Sequence, residues 1–471
     1  MRWRILVVLL LTSAAAAGQE SPLAAEFRIE GEKMREGCTG AFSLGKIGTC
    51  ANELFTEHPL HIAIGSIAPQ NGFGAGLAFV PHYTTPNWRM TWDFDAIGAS
   101  SASWRAGGYM KIIHTPKEKI GVIKPVQPGA SSGKKKSKVA VHDYTVFNLY
   151  AQGIGLNKLF YYGEGPNTTP AGQSVFSEQQ AIVGGSAIVP VFQKSSLSKL
   201  SLSLYGEMNG RFVTIGSPSG QGSPPIGELY NNTTAPGLAT QPAFVQFGEG
   251  IRMKPNLFNN HLQLNYLFTF QQFDATSNST YSFRRWVGDF GHVFPLYGKT
   301  PPGPRQFNGP DSCATAPGDT CPPVSYSINR QGAIGVRVLL TESIANAGSV
   351  VPFYFQPTLG GGDINGNTYL ASYPDYRFRA PNLLLIRESF EHSIWGPFGF
   401  SFMADQGKVA LTRGNVNFDN LQHSFAAGFT IRAGGSPMVY FLFAWGGNST
   451  SHNIVNVDTS LLGGAARPSL F

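Results

Sequence analysis

The sequence is poor in charge, and beyond its first residues it has no apolar run long enough for a membrane helix. Charged residues make up 13% of the 471, whereas soluble domains have nearer a quarter. No run outside the N-terminus approaches the roughly 18 apolar residues that a helical span needs. The missing run excludes helical spans, and the low charge disfavours a fully hydrated surface. A mean hydropathy of −0.08 is typical of membrane β-strands, because alternation hides their apolar residues.

Cysteine is also scarce, with four residues in two closely spaced pairs: Cys38 with Cys50, and Cys313 with Cys321. In an exported chain such spacing predicts two local disulfides, of which Cys38–Cys50 would stabilise by about 3 kcal/mol through loop closure. A metal site at Cys38 and Cys50 is the alternative, and no nearby His or Cys completes its ligand set.

The net charge of +7 does not indicate a nucleic-acid surface. Its densest part, Lys134–Lys136 with Lys138, lies among Gly, Ser and Pro, whereas nucleic-acid surfaces interleave basic residues with stacking aromatics. A solvated loop is therefore predicted there, and no nucleic-acid partner.

The first 18 residues have the pattern of a secretory signal peptide. Basic Arg2 and Arg4 precede the apolar core Ile5–Leu11, and small residues follow, which predicts cleavage near Ala17 or Gly18. We expect residues 19–57 to form a short periplasmic segment, and residues 58–471 to form one β-barrel in a bacterial outer membrane.

Apolar and polar residues alternate with a period of two along many long segments, which predicts strands with one apolar face. In one segment Leu200, Leu202, Leu204 and Met208 alternate with Ser201, Ser203, Tyr205, Glu207, Asn209 and Arg211. In another, Phe398, Phe400 and Phe402 alternate with Gly399, Ser401, Met403 and Asp405. These segments have ten or more residues, long enough to cross a bilayer at a tilt. We predict an all-β, transmembrane antiparallel β-barrel of about 16 strands, an even number that closes without exposed edges.

This tally conflicts with the usual lengths of barrel connections. With both termini periplasmic, the lysine-rich insertion Pro116–Ser137 and the insertion around Cys313 fall on periplasmic turns, which are usually short. Either the tally is off by one, or the inner turns are unusually long.

The segment Val351–Leu411 carries motifs that resemble the bacterial surface antigen family of outer-membrane assembly and translocation barrels, the BamA/TamA family. The matching residues are Leu359-Gly360-Gly361, the tip Leu370–Tyr373, the run Pro374–Arg379, and Phe402, Asp405, Gly407 and Val409. An upstream run, Phe160–Thr168, is similar to another loop of the family. Where family members have an arginine in the tip, this chain reads Leu370-Ala371-Ser372-Tyr373.

The resemblance implies that the loop Val351–Tyr373 folds into the barrel and is locked to its wall. The lock residues would be Gly360, Gly361, Tyr373, Arg377, Arg379, Asp405 and Gly407. Asp405 is expected to form an ion pair in the lumen with Arg377 or Arg379.

The resemblance covers the barrel alone, because residues 19–57 are too few for the family's periplasmic POTRA modules. It implies a non-enzymatic protein of outer-membrane biogenesis or protein transport, whose seam between His58–Ile67 and His452–Leu462 opens for clients. Its expected partners are outer-membrane lipid, unfolded barrel clients and a separate periplasmic module. The alternative is a passive channel or a structural barrel with a loop plug.

No catalytic or metal-binding constellation is apparent in the sequence, and no cofactor is predicted. His58 and His61 have no third ligand in sight, and Gly216–Gly220 has proline where a nucleophile elbow needs serine. A secreted β-sandwich or propeller enzyme is a third possibility, and it requires solubility without detergent.

Overall fold

A computed structural model describes most of the chain after Leu60. The described residues are 28, 32, 60–85, 87–114, 144–191, 200–218, 221–258, 261–299, 302–306, 324–327, 330–395, 398–433, 436–447, 451–457 and 467–470. The predicted signal peptide, the periplasmic segment apart from Arg28 and Glu32, and the disulfides Cys38–Cys50 and Cys313–Cys321 lie outside the described residues.

The described structure is almost entirely β. Its strands are β1 Leu60–Ser66, β2 Phe73–Phe79, β3 His82–Thr84, β4 Trp88–Ala99, β5 Trp104–His114, β6 Val146–Tyr161, β7 Ser174–Pro190, β8 Leu202–Gly216, β9 Phe244–Met253, β10 Asn256–Leu257, β11 Leu262–Ala275, β12 Phe283–Lys299, β13 Pro302–Gln306, β14 Val324–Ser327, β15 Arg330–Ala345, β16 Thr358–Leu359, β17 Phe378–Arg379, β18 Asn382–Trp395, β19 Phe398–Ala410, β20 Gln422–Ala433, β21 Ser436–Trp445 and β22 His452–Val457. One helical turn spans Ile226–Leu229, and 3-10 turns span Pro170–Gly172, Ser279–Tyr281, Phe353–Phe355 and Arg413–Asn415. No helix in the described ranges is long and apolar enough to cross a membrane.

The main sheet is an antiparallel meander in which each wall strand pairs with the next. Eighteen strands belong to it. Two of them are short: β3 continues β2 along β4, and β10 continues β9 along β11, which leaves sixteen wall strands in the described part of the chain. The predicted number is confirmed. Because sixteen is even, β1 begins and β22 ends at the same end of the barrel. The connections β5–β6 and β12–β15 also lie at that end, so a miscounted strand does not account for the position of the two long insertions.

The two faces of the sheet have inverted polarity compared with a water-soluble protein. On β8, Met208 is 58% exposed and Phe212 is 56% exposed, whereas Asn209 and Arg211 are buried. Leu204 is exposed beside buried Ser203 on the same strand. Apolar side chains thus point outward and polar ones inward, the arrangement of a barrel whose outer face meets lipid.

The sheet curls around the segment that joins β15 to β18. This segment touches the β1–β2 turn, where the Tyr376 hydroxyl donates to the Pro69 carbonyl at 3.1 Å. It also touches β20, the fourteenth of the sixteen wall strands, where the Tyr373 hydroxyl donates to Gln422 at 2.8 Å. A cavity of about 1150 Å³ is lined by residues of both β1 and β22. The first and last strands therefore face one lumen.

Candidate functional site

The inserted loop, residues 346–381, lies inside the lumen. Of residues 351–380, 24 are buried, although the segment has almost no regular structure. Its two short strands, β16 and β17, pair with each other and bring the motifs at Leu359 and Arg379 side by side. The predicted inward fold of this loop is confirmed.

The Gly360-Gly361 pair makes the sharp turn that returns the loop on itself. Gly360 has a φ of 103° and Gly361 a φ of 56°, and L side chains rarely adopt such values. A Cβ on Gly360 would lie 2.5 Å from the Arg377 Cβ and 2.9 Å from the Pro374 carbonyl oxygen. The Gly360 carbonyl accepts the Tyr376 N–H at 2.9 Å. The glycines are needed here for both conformation and space.

We predict that Gly360→Ala destabilises the loop by about 2–4 kcal/mol, because a strained backbone and a steric clash add together. Gly366→Ala is the matched control: its φ is also positive, at 83°, but its Cβ would meet open space. The control should cost only about 1 kcal/mol. Limited proteolysis of the inserted loop in detergent measures both variants, and equal protection in the two would contradict the close approach.

Asp405 on β19 holds the tip of the inserted loop. Its carboxylate accepts the Leu370 backbone N–H at 2.8 Å. It also accepts two bonds from the guanidinium of Arg387 on β18, at 2.6 and 2.7 Å. Arg387 in turn donates to the Thr368 carbonyl, and its guanidinium lies 4.9 Å from the centre of the Tyr369 ring. The pair is largely buried, with Asp405 3% and Arg387 17% exposed in their side chains. Such bidentate, charge-assisted pairs are the strong and geometrically specific ones.

The predicted partner of Asp405 is therefore wrong: it is Arg387 of the wall, not Arg377 or Arg379 of the loop. The two loop arginines have other partners: Arg377, just before β17, contacts the β6–β7 loop, and Arg379 Nη1 donates to the Phe353 carbonyl at 2.7 Å. Arg377 donates to the Thr168 hydroxyl and carbonyl and lies 5.0 Å from the Tyr162 ring centre. The backbone continues this contact, because the Gly165 N–H donates to the Arg379 carbonyl at 2.8 Å. The two motif-bearing segments thus bind each other.

Solved structures similar to this chain include CdiB from Acinetobacter baumannii, CdiB from Escherichia coli and BamA from Haemophilus ducreyi lacking POTRA domains 1–3. The respective TM-scores are 0.44, 0.45 and 0.41, at 10%, 11% and 8% identity over 85%, 86% and 91% of this chain. The chain spans 56% and 61% of the two CdiB chains and 80% of the BamA chain. No protein-family model and no curated protein matches it.

A buried aromatic cluster holds the start of the inserted loop. The Phe353 ring centre is 5.2 Å from those of Tyr161 and Phe176, and the Phe355 centre is 4.9 Å from that of Phe244. Three buried guanidinium groups, those of Arg211, Arg285 and Arg379, lie within 6.0 Å of ring centres in this cluster. Cation–π contacts between desolvated groups contribute up to about 2 kcal/mol each. The cluster anchors the loop at the wall opposite Asp405.

Further contacts hold the loop at the strands near the seam. The Ser372 N–H donates to the Ser424 hydroxyl on β20 at 2.8 Å. Asp375 accepts Gln70 Nε2 and the Gly362 N–H, each at 2.7 Å. The loop is thus attached both to β20 and to the β1–β2 turn.

Gly407 provides room for the loop to lie against β19. A Cβ at this position would lie 2.8 Å from the Leu384 carbonyl oxygen and 3.2 Å from a methyl of Leu359. Asp405 and Gly407 are two residues apart and therefore lie on the same face of β19. Asp405 accepts a hydrogen bond from the loop, and Gly407 leaves the space in which the loop packs.

Asp363 is the acidic group buried within the loop itself. Its carboxylate accepts the backbone N–H groups of Asn365 and Asn367 at 2.9 and 2.8 Å. Burial raises the pKa of Asp363 to about 6, against the effect of these bonds. Within the described ranges, no three His, Cys, Asp or Glu side chains lie close enough together to hold a metal ion.

Sequence reasoning missed Arg387, Arg211 and Arg285. Each lies on a wall strand among alternating residues, at a position that faces the lumen. An arginine on the polar face of a barrel strand is a detectable signal, but its partner depends on the register of the neighbouring strand.

Proposed function

We propose that this chain is a non-enzymatic outer-membrane barrel that handles unfolded polypeptides during outer-membrane biogenesis or protein transport. The observation that carries the proposal is the direct binding between the two motif segments, the inserted loop and the β6–β7 loop, inside the barrel. In the family that these motifs resemble, the same parts belong to a barrel that moves polypeptides.

The seam between β1 and β22 supports the passage of clients through the wall. In the described ranges β1 has seven residues and β22 has six. β2 also has seven, whereas the wall strands from β4 to β21 have ten or more, not counting the short β10. Among the described residues, no ladder joins β1 to β22. Opening the barrel here breaks fewer hydrogen bonds than opening it at any long pair, so this is the place where an edge becomes available to a client strand.

Partners follow from the same geometry. The exposed apolar outer face fits outer-membrane lipid, and an open edge at the seam fits an unfolded barrel client by strand addition. A separate chain with periplasmic modules is a further proposed partner, at the end of the barrel where β1 begins and β22 ends.

The proposal is tested by photo-crosslinking in cells. A benzophenone amino acid is placed at Ile64 in β1, at Val455 in β22, and at Phe212 in β8 as a lipid-facing control away from the seam. We expect client adducts at Ile64 and Val455 and none at Phe212. Equal adducts at all three positions, or none at the seam, would contradict polypeptide handling there.

A plugged passive channel is the second candidate, and the lumen cavity of about 1150 Å³ favours it. In planar bilayers, a channel should give steady ohmic conductance that grows when residues Gly360–Tyr373 are deleted. The biogenesis function instead predicts that a deletion strain fails to fold other barrels.

A further inference from the structure

A second segment of the chain lies inside the barrel. After β22, residues Arg467–Leu470 are found in the lumen, and we call them the lumen segment. Pro468 and Leu470 are buried, and Leu470 packs in the main apolar cluster with Tyr109 and Ile154.

A buried carboxylate on the wall binds the arginine of the lumen segment. Arg467 Nη2 donates to Asp95 Oδ2 on β4 at 2.6 Å. The Asp95 side chain is only 2% exposed, and its other cation, Arg105, is more distant at 3.6 Å. The guanidinium of Arg467 also lies 6.0 Å from the Tyr109 ring centre. A buried charge of this kind is costly without a close partner, so the wall is built for a cation at this position.

Two amide side chains bind both backbone polar groups of one residue, Leu470. The Leu470 N–H donates to Asn365 Oδ1 of the inserted loop at 2.7 Å. The Leu470 carbonyl accepts Gln180 Nε2 of β7 at 3.1 Å. Contacts to backbone groups tolerate any side chain, whereas pockets for particular side chains give selectivity. The site therefore combines general peptide binding with pockets for an arginine and for an apolar residue three positions later.

We propose that β4, β7 and Asn365 of the inserted loop form a lumenal binding site for an extended peptide, and that the lumen segment occupies this site at rest. The ligand class is a polypeptide segment with the pattern Arg-x-x-Leu. That client polypeptides use this site rests on the proposed function. The existence of the binding site does not depend on that function. Displacement of the lumen segment would free both the site and the Asn365 side of the inserted loop.

The site is tested with a fluorescein-labelled, C-terminally amidated peptide of residues Gly464–Leu470. Its anisotropy is measured on the detergent-folded barrel that lacks residues 467–471, and on the intact chain. We expect saturable binding to the deletion variant and at least tenfold weaker binding to the intact chain, because its own segment competes at a high effective concentration. The intact chain carrying both Arg467→Gln and Leu470→Ala is the second variant, should the deletion fail to fold.

Two substitutions measure how much the ion pair between Arg467 and Asp95 contributes to peptide binding. A peptide with Arg467→Gln, which leaves the barrel unaltered, and the barrel variant Asp95→Asn should each weaken binding about tenfold or more. A scrambled peptide of the same composition should not bind. The site is disproved if the scrambled peptide binds equally well, or if the intact chain binds as tightly as the deletion variant. Peptide binding without seam adducts would overturn the client function alone, and seam adducts without peptide binding would overturn the site alone.

Discussion

Replacing Asp405 with alanine is expected to destabilise the loop-closed barrel by about 3–5 kcal/mol, because the change leaves the guanidinium of Arg387 buried without its acid. It also removes the acceptor of the Leu370 N–H, which attaches the loop tip to the wall. The inserted loop should become sensitive to protease in the folded barrel. The measurement is the rate of cleavage within residues 365–368, together with the urea midpoint of the heat-modifiable band.

Asp289→Ala is the matched control for this prediction. Asp289 on β12 also binds an arginine, Arg337, through two bonds at 2.7 and 2.8 Å, and that arginine also contacts Tyr369. This pair is more exposed, at 28% and 38%, so its loss should cost about 1 kcal/mol or less.

A double variant separates the buried charge from the lock. In Arg387→Met with Asp405→Leu no buried charge remains unpaired, so part of the stability should return while the loop stays loosened. An Asp405→Ala barrel with unchanged cleavage and midpoint would rule out the lock.

Replacing Met208 with arginine is expected to lower the free energy of unfolding by about 2–4 kcal/mol, because a cation would face the middle of the bilayer. Met208 lies midway along β8 and is 58% exposed. Its neighbours across the strands are Gly185 and Phe247. Reversible urea unfolding in lipid vesicles measures the loss.

A depth control accompanies the Met208 variant. Leu204 lies four residues nearer the end of the same strand, about 13 Å away along it, and faces the same side. Leu204→Arg should therefore cost less, falling toward about 0–1 kcal/mol as the interface is approached. Met208→Leu should be nearly neutral. Equal costs for arginine at both positions would contradict a lipid-facing wall.

The wall of the barrel could be predicted from the sequence because each strand separates two solvents. Met208 faces outward because it is apolar, and Asn209 faces inward because it is polar. The alternation of apolar and polar residues is therefore enough to assign the two faces of the strand. The inserted loop could be found as well, since its glycines and its Asp405 belong to recognisable motifs.

The partner of Asp405 could not be predicted, because it depends on a strand irregularity. A simple turn after Trp395 would place Asp405 opposite Glu388. A register shift between Ser393 and Trp395 moves the pairing by one residue and sets Asp405 opposite Arg387. A single bulge thus exchanges a repulsive pair for an attractive one.

The lumen segment was beyond sequence reasoning for another reason. Its residues do not alternate, and Arg467 reaches Asp95 across 372 positions of sequence. Contacts of this kind depend on the closed shape of the barrel rather than on any local pattern. The sequence predicts a last strand that ends near Leu462; β22 is described as far as Val457, and residues 458–466, which would test the prediction, lie outside the described residues.

The central claim is that alternate residues of the wall face lipid and a polar lumen. Its most direct test is nitroxide accessibility along β8, with the label attached through p-acetylphenylalanine so that the native cysteines stay in place. In reconstituted vesicles, labels at Leu204, Met208 and Phe212 should be accessible to oxygen and shielded from a water-soluble nickel complex, whereas labels at Ser203, Asn209 and Arg211 should not be accessible to lipid-dissolved oxygen. Loss of this alternation, or nickel access at the three apolar positions, would contradict the barrel.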